Sequence, residues 1–301
     1  MSTKPRILIY LEYLPAKLFL AAPRLLPFSI NLLLGKILGL LCYYLIGSAR
    51  KTGLINLGIA FPGMSGKNKK NILKKVFINT GYTAFELINF PRLDENFFSQ
   101  KVSAEGFEHV QEALSLNRGI IICTGHFFNW EIAAAYTTRL VQVNAIVRLL
   151  DNPLLDAYVE NYRTQKGIRI IPRQYAVRRG IQALRKNEIL AVLVDQNSAA
   201  GGVFVPFFGL PASTTEGAAF FHKATGAPVI CGHQFRYPDH THRVFYSQIM
   251  PLTGNLEKDT ALITSYYEKI ITERPENWLW IHPRWKKRPP GEKGLYPGIR
   301  V

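Results

Sequence analysis

Gly119-Ile120-Ile121-Ile122-Cys123-Thr124-Gly125-His126-Phe127-Phe128-Asn129-Trp130-Glu131 runs from an apolar tract straight into a histidine and a carboxylate. Ile120 to Cys123 are β-branched or small without a polar break, the composition of a strand buried on both faces of a parallel sheet. His126 then falls just past the carboxyl end of that strand, in the crevice where open α/β sheets bind ligands. Asn129 suits the N-cap of a helix reaching about Leu140, which sets Glu131 in the first turn, where the helix dipole favours an ionised carboxylate. From there Glu131 is expected to face His126 and fix its tautomer, leaving the other ring nitrogen to take a proton from a hydroxyl. The competing reading is a strand-end histidine satisfied by backbone and a glutamate that merely supports a helix start.

Outward from this stretch, short apolar runs near Ile120, Val143, Ile168 and Ile189 to Val194 alternate with helical patterns at Glu108 to Leu116, Asn129 to Leu140, Pro153 to Lys166 and Tyr175 to Arg185. Such alternation predicts an α/β fold built on a mostly parallel sheet flanked by helices. Asp195 ends the Ile189 to Val194 run and so belongs on the same sheet edge as His126, either ordering basic groups or holding a substrate hydroxyl, or simply opening a loop. Arg148 and Arg163 offer planar forks for phosphate or for a developing oxyanion. Val203 to Leu210, apolar and aromatic around Pro206 and Gly209, would suit the wall of an apolar groove but reads by itself as an ordinary core strand. Pro228 to Phe235 and Arg243 to Ile249 read as a hairpin. Its turn carries His240 and His242, but without carboxylate or cysteine partners at ligand spacing a metal site is disfavoured.

Lys and Arg number 37 against 21 acidic residues, a net charge of +16, which suits nucleic acid, an anionic membrane surface or an acidic partner. No helix-turn-helix, zinc-finger or RNP-like motif accompanies the charge, so nucleic acid is disfavoured. Cys42, Cys123 and Cys231 lie far apart in the chain, with neither a disulfide framework nor a zinc pattern. Cys123, inside an apolar strand, is expected to be a small buried hydrophobe rather than a nucleophile. Phe28 to Gly47 carries only Lys36 as a charge, a length that suits a membrane span or an interfacial helix with Lys36 snorkelling. A helix from Lys67 to Phe90 follows, with Lys67, Lys69, Lys70, Lys74 and Lys75 near its start, each worth about 1 kcal/mol against anionic headgroups. The expected division is a membrane-attachment segment over 1–55 and a catalytic domain over 56–301. Trp278, Trp280 and Trp285, set among His282, Arg284, Lys286, Lys287 and Arg288, fit a membrane interface or a structural lid.

The run from His126 to Glu131 resembles the His-x4-Asp/Glu signature of glycerolipid-type acyltransferases, in the form found in the lipid A biosynthesis acyltransferase family of lauroyl and myristoyl transferases. Further blocks are similar to that family: Asn56-Leu57 with Ala60-Phe61-Pro62; Arg148, Asn152-Pro153 and Arg163; Asp195-Gln196, Val203 to Gly209, Pro211, Thr214 and Gly217; and Trp278 to Pro289. Phe128 departs from the pattern, which more often has glycine there, and is expected to narrow the acceptor side. The resemblance implies transfer of a fatty acyl chain from an acyl thioester, on acyl carrier protein or coenzyme A, to a hydroxyl of a lipid A precursor. His126 would be the general base and Glu131 its orienting partner. Arg163, Arg148, Asp195 and Asn129 would hold the substrate or the oxyanion, with no cofactor and no metal. It further implies a lipid acceptor, an anionic membrane surface, and a place on the bacterial inner membrane with the catalytic domain facing the cytoplasm. Another acceptor lipid, or a membrane protein that binds lipid without turnover, are the alternatives. Without a Gly-x-Ser-x-Gly elbow a hydrolase ranks low.

Overall fold

The computed structural model describes residues 5–199 and 201–299. Helices come first: α1 (Arg6–Ala21), α2 (Phe28–Leu45), α3 (Gly47–Ala60), α4 (Gly66–Asn89) and α5 (Glu95–Lys101). Strands and helices then alternate as β1 (Val102–Glu105), α6 (Phe107–Ser115), β2 (Ile120–Thr124), α7 (Trp130–Thr137), β3 (Val143–Val147), α8 (Pro153–Gln165), β4 (Ile168–Pro172), α9 (Ala176–Arg185) and β5 (Ile189–Leu193). β6 (Val203–Phe207), β7 (Leu210–Thr214), α10 (Gly217–Thr225), β8 (Val229–Arg236), β9 (His242–Tyr246) and α11 (Leu256–Glu273) complete the elements.

Seven strands form one sheet in the order β1-β9-β8-β2-β5-β3-β4. Every neighbouring pair is parallel except β8 with β9, which form the expected hairpin. β2 is central, and its side chains alternate between two cores as the pleat requires. Ile121 and Cys123 enter one cluster with Leu190 and Val192, whereas Ile120 and Ile122 enter the other with Ile189. The uninterrupted apolar run is therefore a consequence of burial on both faces.

The segment Val203 to Leu210 is no part of the seven-stranded sheet. It folds back on Leu210–Thr214 as a separate two-stranded antiparallel ribbon, turning where Phe208 and Gly209 both have positive φ. Phe207 from this ribbon packs on Trp278 and Trp285 at ring separations of 5.7 and 5.5 Å. All three tryptophans of that block are buried, so they form a structural lid and are withdrawn from any membrane interface. The guanidinium of Arg284, also fully buried, donates through its terminal nitrogens to the carbonyls of Ser213 and Gln196 and to Thr214 Oγ1.

α2 lies against α4 through small residues. A side chain at Gly81 would run into the Gly35 carbonyl, and one at Gly39 into the Phe77 carbonyl. Only Asn31, Leu32, Gly35 and Gly39 of α2 are buried, while Ile30, Leu33, Ile37, Leu41, Tyr44 and Leu45 stay exposed. α1 adds Ile7, Leu11, Leu14, Leu18 and Phe19 to the exposed apolar surface, and Asn152 pins it by donating to the Ile9 carbonyl at 2.9 Å.

Candidate active site

The register of the two central strands builds the site. Thr124 of β2 pairs with Leu193 of β5, and Val194 N–H donates to the Thr124 carbonyl at 3.0 Å. Two residues beyond each strand, His126 and Asp195 therefore emerge side by side. His126 Nδ1 lies 2.8 Å from Asp195 Oδ1, and Asp195 Oδ2 accepts the His126 backbone N–H and the Trp278 indole N–H, each at 2.7 Å. Gly125 is needed because a Cβ there would fall 3.0 Å from Asp195 Oδ2 and 2.8 Å from the Phe127 ring. Among the described residues no hydrogen-bond partner occupies His126 Nε2, and the Trp130 ring meets the imidazole edge-on at 5.0 Å.

The electrostatics follow from this contact. Burial penalises the Asp195 carboxylate, but His126 and the donated hydrogen bonds outweigh it and bring the pKa down to about 2. Burial likewise opposes a charged His126, and the Asp195 charge and hydrogen bond, helped by the Glu131 charge, overcome it and raise the ring above its ordinary value.

Glu131 does not meet the expectation placed on it. Its Oε1 accepts from Arg163 Nη2 at 2.9 Å, its Oε2 is buried without a partner, and it makes no hydrogen bond to His126. The ring-orienting carboxylate is Asp195, because strand pairing brings it to Nδ1, while the start of α7 directs Glu131 across to α8. Arg163 thus joins the site through Glu131. Arg148 does not join it: its side chain is 79% exposed and among the described residues meets only Asp151, at 3.4 Å. Asn129 is an N-cap as expected, accepting from Ile132 N–H at 3.2 Å. It is also completely buried, which withdraws it from direct substrate contact.

What holds Asn129 is a buried network whose members the sequence reading passed over. Asn129 donates to Glu86 Oε2 at 2.8 Å, Arg236 clasps the same carboxylate with both terminal nitrogens, and His242 Nε2 lies 3.2 Å from its Oε1. Burial opposes the Glu86 charge, yet Arg236 and His242 hold its carboxyl well below the usual carboxylate range. The available signal was a lone acid in the apolar helical stretch Tyr82 to Phe90, since a buried charge requires a partner. His242 is accordingly a buried structural residue, and among the described residues no group of three or more His, Cys, Asp or Glu could hold a metal ion. Cys123 and Cys231, distant in sequence, are register partners on β2 and β8. Their mutual hydrogen bond and burial push the Cys123 thiol well above its ordinary value, unlike a nucleophile.

Phe128 is buried in the core. Its φ of +54° lies in the left-handed region that favours glycine, which explains why glycine suits this turn. The loop after Asp195 is clamped from behind. His282 Nε2 accepts Asn197 N–H at 3.1 Å, burial with the nearby His126, Arg284 and Lys286 charges brings the ring down to about 4, and Asn56 donates to the Trp280 and His282 carbonyls at 2.7 and 2.8 Å. Beneath α7 run apolar cavities that share Thr124, Trp130, Ala134 and Ala191, with Glu131 and Arg163 on the wall of one.

A model for the family described as bacterial lipid A biosynthesis acyltransferase matches residues 2–287. The chain is similar to the lipid A biosynthesis palmitoleoyltransferase of Escherichia coli K12, 26% identical over 277 residues that cover 90% of each chain. It resembles the lauroyltransferase of the same organism equally, at 26% over 279 residues and 90% of each chain. A phosphatidylinositol mannoside acyltransferase of Mycolicibacterium smegmatis is 23% identical over 206 residues, 66% of this chain and 67% of that protein.

Proposed function

This chain belongs to the bacterial lipid A biosynthesis acyltransferase family, and from that premise we propose that it moves a fatty acyl group from acyl carrier protein to a hydroxyl of a lipid A precursor. The observation that carries the mechanism is the His126–Asp195 pair, with Nε2 of the ring left open at the carboxyl edge of the sheet. Asp195 fixes Nδ1 as the protonated nitrogen, so neutral Nε2 takes the proton of the acceptor hydroxyl as its oxygen attacks the thioester carbon. The C–O bond forms, the tetrahedral intermediate collapses with loss of the C–S bond, and the proton on Nε2 passes to the leaving thiolate. Imidazolium forms transiently beside two carboxylates, Asp195 in contact and Glu131 through space, which is the charge arrangement that lowers its cost. Arg163 gives one N–H to Glu131 and keeps others for the oxyanion, a contribution of about 2.7–4 kcal/mol per donor in well-studied sites. The donor chain occupies the apolar cavities beneath α7, whose small residues Ala133, Ala134 and Ala191 leave the space.

The exposed apolar faces of α1 and α2 attach the enzyme to the inner membrane from the cytoplasmic side. α2 has 18 residues, enough in length and composition to cross a bilayer. One face of it is nonetheless fastened to α4, whose lysines belong in water or headgroups, so it lies in the interface. Mass-spectrometric detection of acyl transfer by membranes containing the protein tests the function, offering acyl carrier protein and coenzyme A thioesters against a lipid A precursor and a lysophospholipid. Product on the lipid A precursor supports the proposal; product only on the lysophospholipid, or none, overturns it.

A further inference from the structure

A separate cavity, of about 300 Å³, opens between α4, the tip of the β8–β9 hairpin and the segment after α11. Lys75, Arg236 and Arg274 line it, together with Tyr82, His240 and one acid, Glu276. Arg236 is the most informative of them: its side chain is 3% exposed, its terminal nitrogens are committed to Glu86, and its Nε is buried without a partner. Arg274 is held by stacking over the Phe235 and Tyr237 rings at 5.6 and 4.7 Å, which orients its guanidinium without using its N–H donors. Among the described residues neither Arg274 nor Lys75 has a side-chain hydrogen bond or ion pair. Two uncommitted cations, Lys75 and Arg274, face a single carboxylate, in a space roomy enough for a tetrahedral anion and its water. Planar guanidinium forks and an ammonium of this kind match phosphate oxygens.

We propose that this cavity binds a phosphate monoester carried on the lipid acceptor. Its place in the fold supports the lipid-borne source. β8 runs parallel to β2, so Arg236 at its end shares the sheet edge that carries His126, and Arg236, Glu86 and Asn129 form a continuous link to the start of α7. The cavity wall on α4 is adjacent to the face that packs on α2, whose opposite side is the exposed apolar surface. A lipid held by its phosphate in the cavity keeps its chains toward that surface and its hydroxyl toward the site. This assignment deepens the acyltransferase reading and rests on it for the meaning of the bound lipid, not for the binding itself.

Full-length protein in detergent micelles is to be tested for retention of phosphatidic acid against phosphatidylcholine, with inorganic phosphate as competitor. Wild type should retain phosphatidic acid in preference, and Lys75→Gln with Arg274→Gln should weaken retention about tenfold. Glu276→Gln should strengthen it, whereas Arg178→Gln with Arg185→Gln, which removes the same charge from the exposed face of α9, should leave it unchanged. Equal losses in the two double variants, or none in either, would overturn the cavity assignment. Competition by inorganic phosphate without preference between the lipids would overturn the lipid source. Turnover is measured in parallel: phosphatidic acid retained by a protein inactive on every acceptor would sink the acyltransferase reading and leave this one standing.

Discussion

Glu86 and Asp195 are both buried carboxylates at the carboxyl edge of one sheet, both ionised, and each contacts a histidine. Glu86 also has Arg236, a permanent cation, and donors fill both of its oxygens. Among the described residues Asp195 has no guanidinium in hydrogen-bond contact: the His126 backbone, the Trp278 indole and one titratable ring hold its charge directly, and the buried Arg284 acts on it only through space. A guanidinium cannot release its proton, so the Glu86 cluster is chemically closed and serves as a fixture for α7. An imidazole can, so the Asp195 cluster moves a proton each time its ring changes charge. Similar burial with a different counter-charge separates scaffold from reactive site.

The strongest way to break this contrast is His126→Ala, expected to lower kcat about 10³-fold, within the range of general-base catalysis, while membrane association and thermal midpoint hold. Retained turnover would remove the base assignment. Asp195→Asn should cost about 10²-fold or more in kcat, because the ring loses its tautomer control. It should also shift the acid limb of the rate profile. In the parent enzyme His126 must be neutral to act, and its pKa is raised above the ordinary 6.5. The kcat/KM should therefore rise with pH through a value above 6.5 and then level off, and the asparagine variant should rise at lower pH. An unchanged limb would mean that another group controls it.

Glu86→Ala sharpens the contrast from the scaffold side. It leaves Arg236 buried and unpaired, so unfolding should become easier by about 3–5 kcal/mol, read from denaturant midpoints. The pH of the rate limb should stay where it is in the protein that remains folded. Glu131→Gln is expected to act in between, lowering kcat about tenfold by loosening Arg163 and lowering the ring pKa modestly, since Glu131 contributes to it only through space. The smallest effect belongs to Arg148→Ala. With its side chain exposed and paired with an exposed aspartate, kcat and KM should change less than twofold, in line with exposed pairs generally.

Much of the fold was legible because local chemistry dictates it. Ile120 to Cys123 has to be a doubly buried strand, and Asn129 has to start a helix that Asp or Glu would favour. α4 begins at Gly66 after Ser65, whose side chain accepts from Asn68 N–H, one residue from the expected start. The ribbon at Val203 to Thr214 is not legible locally, because Phe208-Gly209 between two prolines has the apolar composition of one continuous strand, and only the positive φ at both positions marks it as a turn. The candidate site was half legible, for a reason that concerns distance along the chain.

Periodicity, caps and strand composition depend on residues within a few positions of one another, so the sequence by itself determined the α/β core, the place of His126 at a strand end and the apolar character of α2. Which carboxylate reaches the imidazole depends on the pairing of β2 with β5, 69 residues apart at the His126–Asp195 contact, and on Glu86 anchoring Asn129 from α4. Those are register and packing decisions. Glu131 lies five positions from His126 yet turns to Arg163, because a helix fixed at its first residue can send a first-turn side chain in only one direction. Only the tertiary structure decided that.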